Sequence, residues 1–246
     1  LGTTFTTAGN WAVNGTVAFD GMKTSKVRAL TGALDQAYLV IIATKKSGLT
    51  SLSEIRKTKR KVNVVVLPPT GLAAFGTKVI LEGHGITYND IKRWGGRVDT
   101  VNIQGAGNAM KDGRADLWIH PVAKGHPKVT ELAHTTDVRF LEVEAEAMPK
   151  LQAIGLPAAK LPANTFKHQP TAKNVVGMST IIITIASMSD DLAYTLTKAI
   201  AENASGLKKR MKGLGYFDPA TSWQKTGGVP LHSGAKRYYK EAGYIK

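Results

Sequence analysis

The stretch Asn102–Ala133, NIQGAGNAMKDGRADLWIHPVAKGHPKVTELA, decides the reading of this chain. It parses as helix, stop, strand, polar loop, helix. Ala106, Ala109 and Met110 give the first helix an apolar face. Lys111-Asp112-Gly113 ends it, with Gly113 where a left-handed C-terminal residue is wanted. Asp116–His120 reads as a strand running into a loop that holds His120, Lys124, Gly125, His126 and Pro127. A loop at the carboxyl end of a strand, facing a helix start, is where open α/β sheets bind ligands.

Working outward, the pattern keeps alternating. Tyr38–Thr44 (YLVIIAT) is almost wholly apolar, as for a strand buried on both faces. Ser51 to Glu54 fits a capping box and starts a short helix. Val62–Leu67 is the next strand, ended by Pro68-Pro69, and Thr70-Gly71 lead into an apolar helix, Leu72–Leu81, that stops at Gly83. Val98–Ile103 reads as a strand before the quoted stretch; Lys128–His134 is a helix and Val138–Val143 a strand after it. Leu156–Gln169 is Pro-rich and reads as an ordered loop, and Ile181–Ile185 as a buried strand. Ser189 caps a helix through Asn203 with Leu192, Leu196, Ala199 and Ile200 on one face, and a last helix spans about Gly234–Ala242. This alternation predicts α/β layers with mainly parallel sheets. Tyr38–Thr44 and Ile181–Ile185 bracket a segment with its own strands and helices, which predicts a middle domain inserted into an outer one.

The bulk numbers narrow the function. The 246 residues carry 33 Lys and Arg against 18 Asp and Glu, a net charge of +15. Such a chain can attract nucleic acid, acidic lipid or an anionic solute. The densest basic run, Arg56-Lys57-Thr58-Lys59-Arg60-Lys61, lies between a short helix and a strand and reads as a solvated turn; Lys208-Lys209-Arg210 reads as a helix surface. Neither run is interleaved with aromatics that could stack bases. Cysteine is absent, which excludes thiolate metal sites and cysteine nucleophiles. No apolar run reaches membrane-spanning length. The chain opens at Leu1 without a Met, the expectation for a chain whose N-terminus has been removed.

Candidate chemistry is sparse. Gly71–Lys78 (GLAAFGTK) comes close to a phosphate-binding loop, but Thr77 precedes Lys78 where the Lys should come first, and its apolar middle reads as a helix face. Thr70 and Gly71 more simply present backbone N–H groups at a helix start, suited to a carboxylate or serving as an ordinary cap. Gln104-Gly105-Ala106-Gly107 is a second such start, its glycines explained either by a ligand approaching the backbone or by tight helix packing. The six histidines show no metal-ligand spacing, and the carboxylates form no pair with a reason to separate their pKa values. No catalytic residues, no metal site and no cofactor are therefore expected.

The order of several motifs resembles the TAXI family of solute-binding receptors of TRAP (tripartite ATP-independent periplasmic) transporters. They are Val27-Arg-Ala-Leu30; Tyr38–Lys45 followed by Ser47-Gly-Leu-Thr-Ser-Leu-Ser-Glu54; Ala109-Met-Lys-Asp-Gly-Arg-Ala-Asp116; Gly125-His-Pro127 with Glu131-Leu-Ala133; Leu161–Phe166; and Val229–Tyr239. The resemblance implies an α/β, two-lobed type II periplasmic binding-protein fold with two hinge strands. Lobe 1 would comprise 1–42 and 184–246, lacking the family's first strand and helix, and lobe 2 would comprise 43–183. It implies a periplasmic, non-enzymatic receptor that takes a small organic anion, a glutamate-like amino acid or a dicarboxylate, to membrane permease subunits, with no nucleic-acid partner. By position, the ligand-binding candidates are Thr6 and Thr7 in the first lobe, and Thr70, Gly71, Gln104, His120, Gly125 and His126 in the second. Thr7 stands where the family usually has an acidic residue, and Gly105 where Glu is frequent. Two rivals are a basic nucleic-acid-binding protein, prompted by the charge, and an enzyme on the same fold, for which His120 and His126 are the only acid–base candidates.

Overall fold

The computed structural model describes residues 1–69 and 71–246, and of Lys212 the backbone alone. The chain forms two compact units: unit 1 is Leu1–Ala37 with Met178–Lys246, and unit 2 is Tyr38–Gly177. It opens in unit 1 with β1 (Gly2–Phe5), α1 (Thr6–Asn14) and β2 (Val27–Thr31). It enters unit 2 along β3 (Ala37–Thr44) and continues through α2 (Leu52–Thr58), β4 (Asn63–Val66), α3 (Leu72–Gly83), α4 (Tyr88–Arg93) and β5 (Arg97–Thr100). Then come α5 (Ile103–Lys111), β6 (Leu117–Ala123), α6 (Pro127–Thr135), β7 (Val138–Leu141), α7 (Met148–Ala153) and β8 (Ala158–Leu161). The strand β9 (Lys173–Met178) leads back to unit 1, completed by β10 (Thr180–Ile185), α8 (Asp190–Glu202), α9 (Ala204–Arg210), α10 (Pro219–Ser222) and α11 (Ser233–Glu241).

Unit 2 is built on a sheet with strand order β5-β4-β6-β3-β9-β8, with β7 paired to β3. All eight residues of β3 are buried, which accounts for its uninterrupted apolar run. The helix α3 rests directly on β3: a Cβ at Gly76 would lie 2.6 Å from Leu39 Cδ2. A core of Tyr38, Val65, Trp118, Val129, Phe140 and Phe166 joins the sheet to α5 and α6. Gly113 follows the C-cap Asp112 of α5 with φ +70°, as its position in the sequence requires.

Unit 1 holds an antiparallel sheet of order β1-β10-β2. Here the expectation of mainly parallel sheets fails. Among the described ladders, parallel pairing joins β4 to β5 and to β6, while β1–β10, β10–β2, β3–β7 and β8–β9 are antiparallel. Parallel neighbours arise only where a helix carries the chain back between them. The strands of unit 1 instead meet after an excursion through the whole of unit 2.

Three local expectations also change. The Pro-rich loop contains β8, whose Ala-Ala-Lys-Leu sequence has too weak an alternation to announce a strand; pairing with β9 supplies it. Beyond β8 the loop is held by Gln169, 1% exposed, whose Nε2 donates to Pro162 O at 2.9 Å and Thr171 O at 2.6 Å. The strand β10 is half-buried rather than buried, with Ile185 at 59% exposure. On α8 the packed face is Ala193, Thr197 and Ala201, and Leu192 is 49% exposed. The cause is a close approach to α11: a Cβ at Gly234 would fall 2.0 Å from Asp190 O, and small residues suit so narrow a gap.

The two passages between the units are tied together from one side chain. Gln36 Nε2 donates to Ala37 O at 3.3 Å and to Met178 O at 3.4 Å. Beside it the Asp35 carboxylate accepts from Thr180 N at 2.8 Å and Thr180 Oγ1 at 2.9 Å.

The α8–α11 contact gives a stability test. Gly234→Ala should destabilise the chain by about 2 kcal/mol or more, because overpacking outweighs the roughly 1 kcal/mol of helix propensity gained. Gly206→Ala, in α9 with nothing within 4 Å of the added Cβ, should instead stabilise by about 0.5 kcal/mol. Urea unfolding of both variants measures the difference, and equal signs would contradict the packing described.

Candidate functional site

The strand β4 pairs in parallel with β5, Val66 opposite Thr100, and with β6, Val65 opposite Trp118. Each strand is followed by a helix, so α3, α5 and α6 all start from the carboxyl end of the sheet in unit 2. Five of the sequence-derived candidates, Gly71, Gln104, His120, Gly125 and His126, belong to this end. Thr70 lies outside the described residues.

Each helix start is finished differently. Gly71 is the N-cap of α3, with extended backbone (φ −157°, ψ 174°) and nothing within 4 Å of an added Cβ. Having no side chain, it leaves the first-turn N–H groups of α3 to other partners. The helix α5 begins one residue earlier than Gln104: Asn102 is its N-cap, and Asn102 Oδ1 accepts from Gly105 N at 2.7 Å. Gln104 is exposed, and its Nε2 donates to Asn108 Oδ1 at 3.3 Å one turn on. Of the glycines here, Gly107 has a packing cause: Lys128 of α6 crosses where its Cβ would be, 2.8 Å from Lys128 Cδ. The cap at Asn102 was missed in the sequence, although an Asn ahead of the apolar face is a usable signal.

The third start is the loop after β6. His126 N donates to Ala123 O at 3.1 Å, closing a turn in which Gly125 takes φ +80°. That is the third position of a type II turn, and it favours glycine. His126 is the N-cap of α6, its Nδ1 accepting from Val129 N at 3.4 Å, with Pro127 as the first helical residue. His120 sits on the same face of β6 as Trp118, two residues away. Its ring stacks on Trp118 with centroids 4.8 Å apart and meets His126 edge-on at 5.1 Å.

His120 is 5% exposed, and burial, with a smaller contribution from His126, pushes its pKa down to about 3. Burial lowers His126 as well. Both rings are therefore neutral at neutral pH. Among the described residues, His120 Nδ1 and Trp118 Nε1 are buried without a hydrogen-bond partner. A buried unsatisfied polar atom is unfavourable and calls for a partner from outside the chain, whether water or ligand. The alternation that places Trp118 beside His120 was readable in the sequence; the missing partners were not.

Two candidates lie in unit 1. Thr6 opens α1 after β1, and its Oγ1 accepts from Ser179 N at 3.2 Å while its own N donates to Ser179 O at 2.8 Å. Thr7, next in the helix, is 2% exposed. The phosphate-loop reading of Gly71–Lys78 has no support. Leu72 onward is helix, Thr77 is fully buried and donates to Ala73 O and Ile119 O at 3.0 Å each, and Lys78 pairs with Glu82 along the helix. Among the described residues, no group of three or more His, Asp or Glu could hold a metal ion.

The architecture is the α/β type II periplasmic binding-protein fold. It is similar to that of MatC (Rpa3494) from Rhodopseudomonas palustris, a structure with bound malate, at 12% identity and a TM-score of 0.57 over 98% of this chain and 76% of that one. The periplasmic binding protein BugD is 13% identical with a TM-score of 0.49 over 98% of this chain and 77% of that one. XAC2383 from Xanthomonas citri is 12% identical with a TM-score of 0.47, over 97% and 77%. Residues 1–243 match the NMT1-like family, and the chain belongs to it.

The depressed histidines make stability depend on pH. A folded pKa near 3 for His120 against 6.5 unfolded means the unfolded chain takes up a proton below pH 6.5 that the folded chain refuses. This contribution is fully present above pH 6.5 and is lost progressively as the pH falls toward 3. His120→Phe keeps the stack on Trp118 and removes the titration. Between about pH 7 and pH 5, urea unfolding should show a smaller stability loss for the variant than for the parent chain. Equal losses would mean His120 titrates normally.

Proposed function

We propose that this chain is the periplasmic solute-binding receptor of a TRAP transporter of the TAXI type. It captures a small carboxylate, a dicarboxylate or a glutamate-like amino acid, and delivers it to the membrane permease. The observation that carries this reading is the convergence of three helix starts at the carboxyl end of β4, β5 and β6, with no side-chain cap on the start of α3 among the described residues. A helix N-terminus offers unpaired N–H groups and a partial positive charge, the complement of a carboxylate. Gly71, Gln104, His120, Gly125 and His126 are the proposed contacts in unit 2.

Recognition divides between two kinds of group. The backbone at α3 takes the negative charge. His120, neutral and with no partner for its Nδ1 among the described residues, supplies a directional hydrogen bond that distinguishes one carboxylate from another. The net charge of +15 draws anions in at long range, an effect that salt screens. Membership of the NMT1-like family and the fold shared with MatC support the reading, and the malate of that structure makes a four-carbon dicarboxylate the first solute to try.

Thermal unfolding with malate, glutamate and related carboxylates tests the proposal. At ~100-fold excess over Kd, the true solute should raise Tm by roughly 5–10 °C. The variant Gly71→Asp places a carboxylate on the same N–H groups. It should leave the unliganded Tm unchanged or higher, because Asp is a good N-cap, while weakening the solute by about tenfold or more. No stabilisation by any small carboxylate, or undiminished binding by the variant, would refute the assignment.

A further inference from the structure

The basic run at Arg56–Lys61 is left unused by solute binding, and the topology of unit 2 gives it company. Residues leading into the parallel strands lie at the amino end of the sheet, opposite the helix starts. Lys59 and Lys61 precede β4, Trp94 precedes β5, and Lys111 ends the helix before β6. Lys46 joins them because β3 runs against β6, Thr44 N donating to Asp116 O at 2.9 Å.

These residues form one continuous face. A Cβ on Gly95, next to Trp94, would touch Lys61 Cδ at 4.0 Å, and one on Gly113 would lie 3.8 Å from Lys46 Nζ. Arg97 Nη2 donates to Arg114 O at 3.4 Å, linking the approaches to β5 and β6. Lys45, Lys46 and Lys111 line a shared basin of about 560 Å³ with Asp112, Asp116 and Asp137, of which Asp112 and Asp137 are ion-paired to Arg114 and Lys45.

Some cations on this face are paired and others are not: Lys45 pairs with Asp137 at 3.7 Å. The arginines are engaged: Arg93 with Asp90, Arg97 with Asp99, Arg114 with Asp112. The lysines Lys46, Lys59, Lys61 and Lys111 are exposed, and among the described residues none has a carboxylate within ion-pair distance. Arginine forks suit a partner with fixed carboxylate or phosphate geometry, whereas free lysines are mobile point charges suited to diffuse negative charge. Half-exposed Trp94 adds an aromatic of the kind that settles at a lipid–water boundary.

We propose that the amino-end face of unit 2 docks on an anionic phospholipid surface. Docking is electrostatic and reversible, with Trp94 at the headgroup level.

Sedimentation of the full chain with vesicles tests this. It should bind phosphatidylcholine vesicles containing phosphatidylglycerol, not phosphatidylcholine alone, and be released by salt. Each lysine near such a surface contributes roughly fivefold, so Lys46→Gln/Lys59→Gln/Lys61→Gln should weaken binding about a hundredfold. A control with the same charge loss, Lys208→Gln/Lys209→Gln/Arg210→Gln, should weaken it far less. The fluorescence blue shift on vesicle binding should be lost in Trp94→Phe. Urea unfolding confirms that each variant folds. No binding to anionic vesicles, equal losses in both triple variants, an unchanged blue shift in Trp94→Phe, or tighter binding to duplex DNA or an acidic polypeptide would each overturn the proposal.

Discussion

Parallel pairing imposes a direction on unit 2. Two strands can run side by side in the same sense only if the chain travels back between them, and here helices make that return. For the parallel strands β4, β5 and β6, every return ends at the amino edge of the sheet and every departure begins at the carboxyl edge. The departures from β4, β5 and β6 therefore gather three helix starts, with their spare N–H groups, at one edge. The returns place Lys59, Lys61 and Lys111 at the other. The gathering of helix starts at one end of unit 2 follows from strand direction before any side chain is considered.

Side chains then tune the donor end. Asn102 and His126 take up part of what α5 and α6 offer, while Gly71 takes up nothing by side chain. Burial holds His120 in its neutral form, while Lys124 and Lys128 carry positive charge near the turn after β6 and Lys128 is paired with Glu131. Backbone dipoles are fixed in direction, and a neutral imidazole has one donor and one acceptor nitrogen, so what this edge offers is directional.

Much of the architecture was legible in the sequence because many of its elements obey local rules. The run Tyr38–Thr44 is a buried strand, Ser51 and Ser189 do cap helices, and Gly113 takes the left-handed backbone expected of it. What was not legible depends on partners distant in sequence. Thr77 looks like half of a nucleotide motif until its hydroxyl is found donating to Ile119, forty-two residues on. The exposed Leu192 follows from an α8–α11 gap set by Gly234. The antiparallel sheet of unit 1 brings β1 and β2 to a strand that follows the whole of unit 2. At the candidate site the residue types were readable, but the stack of His120 on Trp118 and its unpartnered nitrogen exist only in three dimensions.

Gln36 bonds to the carbonyls on both sides of the inserted segment, and β3 and β9 are neighbours in the sheet. Unit 2 thus leaves the chain at almost the point where it enters. A segment with abutting ends behaves as a cassette: a short turn from Gln36 to Ser179 would heal unit 1 without it, and a short turn between β9 and β3 would close unit 2 into a ring that tolerates new termini elsewhere. The architecture can accordingly be read as one small fold that has accepted another whole, with each free to diverge while the splice between them stays fixed.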